Sequence, residues 1–360
     1  MNHNGCVSTA WPSIRTRLTG LPFLQTEFVM LRFFVLRVLG MLLTMVVVSI
    51  MVFFIMELPP GDYADRLAFR KFSGTGVSVT ESDIQSIREQ LGLDAPAWQR
   101  YFAWIGGIVT RFDFGPAFAF ETSVNNVIGQ KIWLTMALLL MALVLTYAIS
   151  LPIGIYAAVN RHSAGDYLLT VISYLGLALP NFLLALVFLY LGVRFFDINI
   201  GGLFSPEFVD ASWSPARIFN LVQNLWLPAI LLAWSATALQ IQTVRATMSD
   251  ELNKLAVTAA RARGIPEWKV LIKYPARLAI NPVVSTVGFD INRIFSELPI
   301  VALVLGLPEL GELLIRSYLD GDMYVAGAIL LLLTFVIVFV NFLSDIALAM
   351  LDPRIKLQGS

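Results

Sequence analysis

Apolar residues gather along the chain into six long runs, near residues 33–56, 132–158, 168–193, 225–243, 283–305 and 324–350. A helix needs about 20 mostly apolar residues to cross the hydrocarbon of a bilayer, and each run reaches or nears that length. Two amphipathic patterns fill the polar stretch 57–131. "TESDIQSIREQLG" opens on Thr80 as an N-cap, sets Asp83 in a capping-box position, puts Ile84, Ile87 and Leu91 on one face and stops at Gly92. "PAWQRYFAWIGGIV" repeats the pattern with Trp98, Tyr101, Phe102 and Ile105, aromatics expected to pack within the loop rather than on the membrane surface. Residues 194–224 carry the Gly, Ser and Pro punctuation of an irregular loop. "LGLPELGELLIRSYLDGD" (305–322) reads as a loop dipping between the last two runs.

Composition agrees with the pattern. The chain is 57% hydrophobic and 14% charged, against about 45–50% and about 25% for soluble domains. An all-α membrane protein of six transmembrane helices is the fold class this predicts. Net charge is zero, which points to no nucleic-acid partner. The single cysteine, Cys6, excludes an internal disulfide, and His3 and His162 fall outside the apolar runs, as solvated residues do. The first run follows Arg32 and Arg37 and ends "FFIMELPPGD" without a small-residue cleavage site, so it reads as an uncleaved anchor. Met30 looks like its natural beginning, and residues 1–29 show no helical or strand pattern and read as a disordered tail. Lys and Arg collect in the tail, at Arg161, in the segment 245–277 and at Arg354 and Lys356, which places both termini on the cytoplasmic side.

One basic segment stands out, "LAVTAARARGIPEWKVLIKYPARLAINP" from Leu255 to Pro282. Residues 246–263 suit one helix, Gly264 a left-handed turn, and Pro266 the first turn of a second helix that runs to about Tyr274 before Pro275. Glu267 then sits at the positive end of that second helix. Ala256, Ala259, Ala260 and Ala262 keep the first helix thin. Trp268, Val270, Leu271 and Ile272 lie among cations. Composition leaves two readings equally open, a docking element and a loop resting on anionic lipid.

Ionisable groups inside spans are costly and need partners or a function. Asp290, Arg293 and Glu297 fall within an arc of about 60° on the fifth span, able to pair with one another, line a path or join helices. Gln240 and Gln242 in the fourth span are open to the same two readings. Pro180 and Asn181 interrupt the third span and free backbone groups that protein or water must satisfy. Asn341 and Asp345 suit interhelical hydrogen bonds. No G-x-x-x-x-G-K-[ST] occurs, so nucleotide hydrolysis falls to another polypeptide. Nothing has the spacing of metal ligands.

"TAARARG" followed by an amphipathic stretch and a proline resembles the EAA loop of ABC importer permeases, above all the dipeptide/oligopeptide/nickel family. "LPPGD", "REQLGLDAPAWQRYFAWIGGIV", "LALPNFLLAL" and "MLDPRIK" are similar to further motifs of that family in the same order, from Met30 onward. Thr258 stands where the wider consensus has glutamate, "YPAR" replaces its I-x-L-P tail, and "RFDFGPAF" departs from the usual G-D-L-G-x-S. The resemblance implies a type I ABC importer permease, with first span 30–56, periplasmic helical loop 57–131, permease core 132–352 containing the loop 245–282, and cytoplasmic tail 353–360. It implies coupling to an ATPase through Ala260, Arg261, Arg263, Gly264, Glu267, Trp268 and Lys269. Asp290, Arg293, Glu297, Asn181 and Gln240 then belong to the translocation path or to helix interfaces. No cofactor is implied in this chain, since ATP and Mg would be bound by partner ATPases. Expected partners are a homologous second permease, two cytoplasmic ATPase domains and a periplasmic solute-binding protein, with peptides as substrate and oligosaccharides or nickel as alternatives. An ion-coupled secondary transporter working through Asp290, Arg293 and Glu297 is the rival from another class, and a membrane subunit that merely recruits a cytoplasmic partner is a third.

Overall fold

The computed structural model describes residues 22–58, 64–65, 67–68, 80–90, 93–196, 201–209 and 211–351. The tail up to residue 21, Pro59 to Asp62 of "LPPGD", Leu91 with Gly92, and residues 352–360 with most of "MLDPRIK" lie outside the described residues. Among the described residues the only strands are Pro116–Ala117 (β1) and Thr122–Ser123 (β2), an antiparallel pair. The rest is helix and connection, as a chain that must satisfy its backbone inside lipid requires.

Among the described residues four helices are long and apolar enough to span: α1 (Pro22–Glu57), α4 (Val124–Val159), α7 (Pro215–Leu252) and α12 (Met323–Leu351). Two bent helix pairs raise the number of candidate spans to six. The first is α5 (Ala164–Ala178) with α6 (Asn181–Phe196), bent by 103°. The second joins the helical stretch Glu267–Leu305 to α11 (Leu310–Asp320), bent by 81°. Within the described residues α1 is already helical from Pro22, ahead of the expected Met30.

The third apolar run is therefore not one continuous helix. Leu179 is extended (φ −95°, ψ 126°), the conformation forced on a residue before proline. Pro180 then restarts the chain, its carbonyl accepting from the amides of Leu183 and Leu184. Each half is about 23 Å long, shorter than the ~30 Å hydrocarbon core, so neither crosses alone. Residues 305–322 also differ from the expected loop. Gly306 (φ +61°) closes the preceding helix, and the Glu309 carboxylate accepts from the Glu312 amide at 3.0 Å to start α11. Glu309 is fully buried and also accepts from the Thr135 hydroxyl at 3.0 Å, which fastens α11 to α4.

The core lies where α4, α7, α11, α12 and the helix Arg277–Leu305 (α10) meet, around Leu138, Leu232, Leu298, Leu310 and Ile329. Small residues allow close approach there. A Cβ on Gly154 of α4 would lie 2.7 Å from the Val244 Cβ of α7, and one on Gly176 of α5 would lie 2.8 Å from Ala238. Helix α1 stands at the edge, held to α12 by Phe34 against Phe342 (ring centroids 5.5 Å apart), by an Arg37–Asp345 ion pair at 2.6 Å, and by Met56 lying over Gly327.

At the opposite end α2 (Glu81–Gln90) and α3 (Ala97–Arg111) form as the sequence predicts. Asp83 accepts from the Thr80 amide at 3.1 Å, and the two bonds from Thr80 hold its carboxyl below the usual carboxylate range. The aromatics of α3 divide. Tyr101 meets Ser49 (2.9 Å) and Phe53 of α1, and buried Trp104 packs on Phe53, while Trp98 and Phe102 remain exposed. Arg100 pairs with Glu57 at 2.6 Å. In the stretch expected to be irregular up to residue 224, α7 already starts at Pro215, with Ser214 as N-cap accepting from the Arg217 amide. The Arg217 guanidinium lies 4.6 Å from the Phe204 ring centre and 4.7 Å from that of Trp213. Gly154→Val, which overpacks the α4–α7 contact, is expected to lower stability by about 1–3 kcal/mol, read as a fall in the melting temperature of the detergent-solubilised protein.

Candidate functional site, a basic elbow below a polar seam

Helix α7 does not run on to residue 263. It stops at Leu252, where Asn253 leaves the helix and bonds its side chain back to the Ser249 carbonyl (3.0 Å), and Lys254 is extended. Asparagine competes for backbone partners in this way, which is why it favours ends. A separate helix, α8 (Leu255–Ala262), follows. Its end has the Schellman pattern: the Gly264 amide donates to the Arg261 carbonyl at 2.9 Å and the Ile265 amide to the Ala260 carbonyl at 3.4 Å. Gly264 has φ +72°, and a Cβ there would touch nothing, so the backbone conformation alone calls for glycine.

Pro266 caps α9 (Glu267–Leu271), with its carbonyl accepting from the Lys269 and Val270 amides. Arg261 donates to both Glu267 oxygens (3.1 Å and 2.5 Å) and so fixes the angle between α8 and α9. Both side chains are about half exposed, so the pair contributes geometry more than stability. Val257, Ala260 and Val270 are buried against Ile265 and Tyr274, a small core belonging to the elbow itself. Ala260 is thus beneath the surface, whereas Arg263, Gly264, Trp268, Lys269 and Ile272 are exposed, Trp268 at 62%. The Lys269 ammonium lies 5.2 Å from the Trp268 ring centre.

Pro275 does not end the second helix. A π-helical turn, Ile272–Ala276, contains it and leads directly into α10, so helix continues from Glu267 to Leu305. The wider i→i+5 register accommodates a residue with no N–H to give. Leu271 and Ala276 pack on Ala158, Met248 and Ala279, seating the elbow on α4 and α7. Nearby, buried Asp166 at the start of α5 accepts from Arg245 of α7 at 2.6 and 2.8 Å.

Farther along α10 the polar residues find partners on other helices. Asp290 accepts from the Tyr147 hydroxyl (2.6 Å) and the Gln240 amide (2.5 Å), and Gln240 also donates to Thr286 (2.7 Å). Glu297 accepts from the Asn181 backbone amide (3.1 Å) and the Ser235 hydroxyl (3.3 Å). The Asn181 side chain donates to the Leu232 carbonyl at 3.0 Å. Asp290, Gln240 and Asn181 are at most 1% exposed. Arg293, half-buried between the two carboxylates, makes no hydrogen bond or ion pair among the described residues. The three ionisable groups of α10 therefore do not pair with one another.

Sequence reasoning missed Tyr147, Ser235 and Thr286, whose only signal is a hydroxyl inside an apolar run. It also missed a stripe on α10 where Ser285, Asn292 and Ser296 are exposed together with Phe289 (75%) and Ile300. Gln242 leaves a buried amide nitrogen without a partner among the described residues. Asp345 reaches α1 as an ion pair, and Asn341 fills the space above Gly288, where a Cβ would be 1.4 Å from its oxygen. Gln240→Leu removes a donor from the buried Asp290 carboxylate and is expected to cost about 1–3 kcal/mol, checked by thermal unfolding in detergent against the neutralised double variant Gln240→Leu/Asp290→Leu, which recovers part of the loss.

The sequence is similar to known proteins along nearly its full length. The profile of the family described as binding-protein-dependent transport system inner membrane component matches residues 150–357, and that of its N-terminal companion matches residues 30–139. A putative peptide permease protein of Brucella ovis is 34% identical over 320 residues, 88% of this chain and 96% of that protein. The oligopeptide transport system permease protein AppB of Bacillus subtilis is 30% identical over 310 residues, 86% and 94% of the two chains. The glutathione transport system permease protein GsiC of Escherichia coli is 28% identical over 327 residues, 91% and 99%. With its all-α, type I importer permease fold, the chain belongs to the inner-membrane components of binding-protein-dependent ABC transport systems.

Proposed function

We infer that this permease forms half of a translocation pathway for peptides, driven by ATP bound and hydrolysed with Mg in partner subunits. The relatives named for peptides, oligopeptides and glutathione support the substrate class. The partners are a homologous second permease, two cytoplasmic ATPase domains and a periplasmic solute-binding protein. Both termini and the elbow lie on the cytoplasmic side, in keeping with the Lys and Arg bias of the connections. The domain limits follow, with the loop 57–131 periplasmic and the core at 132–352.

The observation that carries the mechanism is the unbroken helix from Glu267 to Leu305. One end presents Trp268, Lys269 and Ile272 to the cytoplasm, beside Arg263 at the end of α8, and the other reaches the seam. Trp268 is the apolar anchor in an ATPase cleft, Arg263 and Lys269 are polar contacts, and Arg261 with Glu267 holds the angle. Ala260 is the floor on which α9 rests. A push on α9 then moves α10 as a lever, because the π turn joins them without a hinge.

Asp290, Gln240, Asn181 and Glu297 act as helix-interface groups that keep α10 in register with α4, α6 and α7. The path is lined instead by Ser285, Phe289, Asn292, Arg293 and Ser296, since asparagine and arginine are costly against lipid. Gly264→Val forces a β-branched residue to positive φ, at about 1–2 kcal/mol. That variant is expected to insert normally but to lose about tenfold of substrate-stimulated ATPase activity in the assembled transporter; wild-type stimulation would overturn the coupling role. Trp268→Ala is expected to weaken retention of the ATPase subunits during purification by about tenfold or more, with uptake into proteoliposomes falling in parallel and still requiring ATP.

A further inference from the structure

A cavity of ≈ 740 Å³ opens within the elbow, between the end of α7, the start of α8 and the foot of α10. Its charged lining is Lys254, Lys273 and Arg277 against one carboxylate, Glu251. Lys254 already holds Glu251 at 2.5 Å. Lys273 and Arg277, four residues apart across the π turn, are exposed and have no acidic partner among the described residues. Lys273 has only the ring of its neighbour Tyr274, 6.0 Å away. Like charges at this spacing repel, and a void of this size between them is of the volume that small ligands occupy.

The cavity also has a place in the pathway. Arg277, Asn281, Ser285, Asn292 and Ser296 recur at steps of four, four, seven and four residues, which keeps them on one face of α10. Arg277 and Asn281 line the cavity, and the other three are exposed above it. On the path reading given above, the basic cavity lies at the foot of the same stripe.

We propose that this cavity is a product-side binding site for a carboxylate, held by Lys273 and Arg277 as the imported solute leaves the path; for a peptide this is its C-terminal carboxylate. The proposal rests on the peptide-path reading and adds the group that is recognised and the residues that recognise it. Two charge-assisted hydrogen bonds supply the attraction, and the exposed position allows release.

The test uses the assembled transporter in phosphatidylcholine nanodiscs, without binding protein, and ligand-observed saturation-transfer NMR with trialanine and trialanine amide as probes. Trialanine is expected to give a signal about tenfold or more above the amide, as loss of a charge-assisted contact implies. Lys273→Gln/Arg277→Gln is expected to remove that difference, and Lys273→Arg to keep it. Equal signals from the two peptides, or a difference that survives in the double variant, overturn the site. Loss of the trialanine signal when phosphatidylglycerol replaces phosphatidylcholine assigns the cavity to lipid phosphate and overturns it too. In parallel, Ser296→Cys is placed in a Cys6→Ser background, which leaves this chain no other cysteine, and its labelling by a charged methanethiosulfonate is read on this subunit. Labelling without selective trialanine binding leaves the path standing and removes the carboxylate site. Absence of labelling removes the path and the site with it.

Discussion

A carboxylate placed inside a membrane must be met by donors from its own protein, and the centre of this permease is arranged around two of them. Asp290 and Glu297 sit two turns apart on α10 and reach across to α7, where Gln240 and Ser235 receive them. Tyr147 of α4 and the first amide of α6 complete the sets. Desolvation makes each unmet bond costly, more than it would be in water. The four helices are thereby held at one axial register, which apolar packing alone, free to slide, would not specify. The break at Pro180 serves the same end, since it frees the Asn181 amide that Glu297 receives.

Beside that register, the elbow is braced by its own small core, by the Arg261–Glu267 fork and by the contacts of Leu271 and Ala276 with α4 and α7. The π turn, where a proline would ordinarily interrupt transmission, instead carries the helix through. On the coupling proposed above, motion of α9 and tilt of α10 are one event.

Much of this was legible in the residue pattern. The six apolar runs, the two loop helices, the left-handed Gly264 and the break at Pro180 all follow from local chemistry. The angle at that break did not, because proline dictates only that the preceding residue is extended, and tertiary partners such as Glu297 decide where the next helix points. Residues 246–263 read as a single helix because nothing local forbids one; Asn253 ends it through a bond that propensity does not rank. Pro275 read as a stop because the π register that tolerates it is rare. The α10 acids lie on one face as expected, yet their partners are remote in sequence. Spacing along one helix carries no information about which residue of another helix stands opposite, and for the same reason the stripe of Ser285, Asn292 and Ser296 gives no signal among its apolar neighbours.

The clasp between α1 and α12 has a temporal side. The ribosome delivers α1 first and its chief partner last, so through most of synthesis Arg37 has no Asp345 and Met56 has no Gly327 to lie upon. A helix that must wait needs a surface content in lipid on every side, and α1 has one, with large apolar side chains outward from Phe34 to Ile55 even in the finished fold. Arg37 lies near the start of the apolar stretch, where the headgroup layer can host its charge until the last helix arrives.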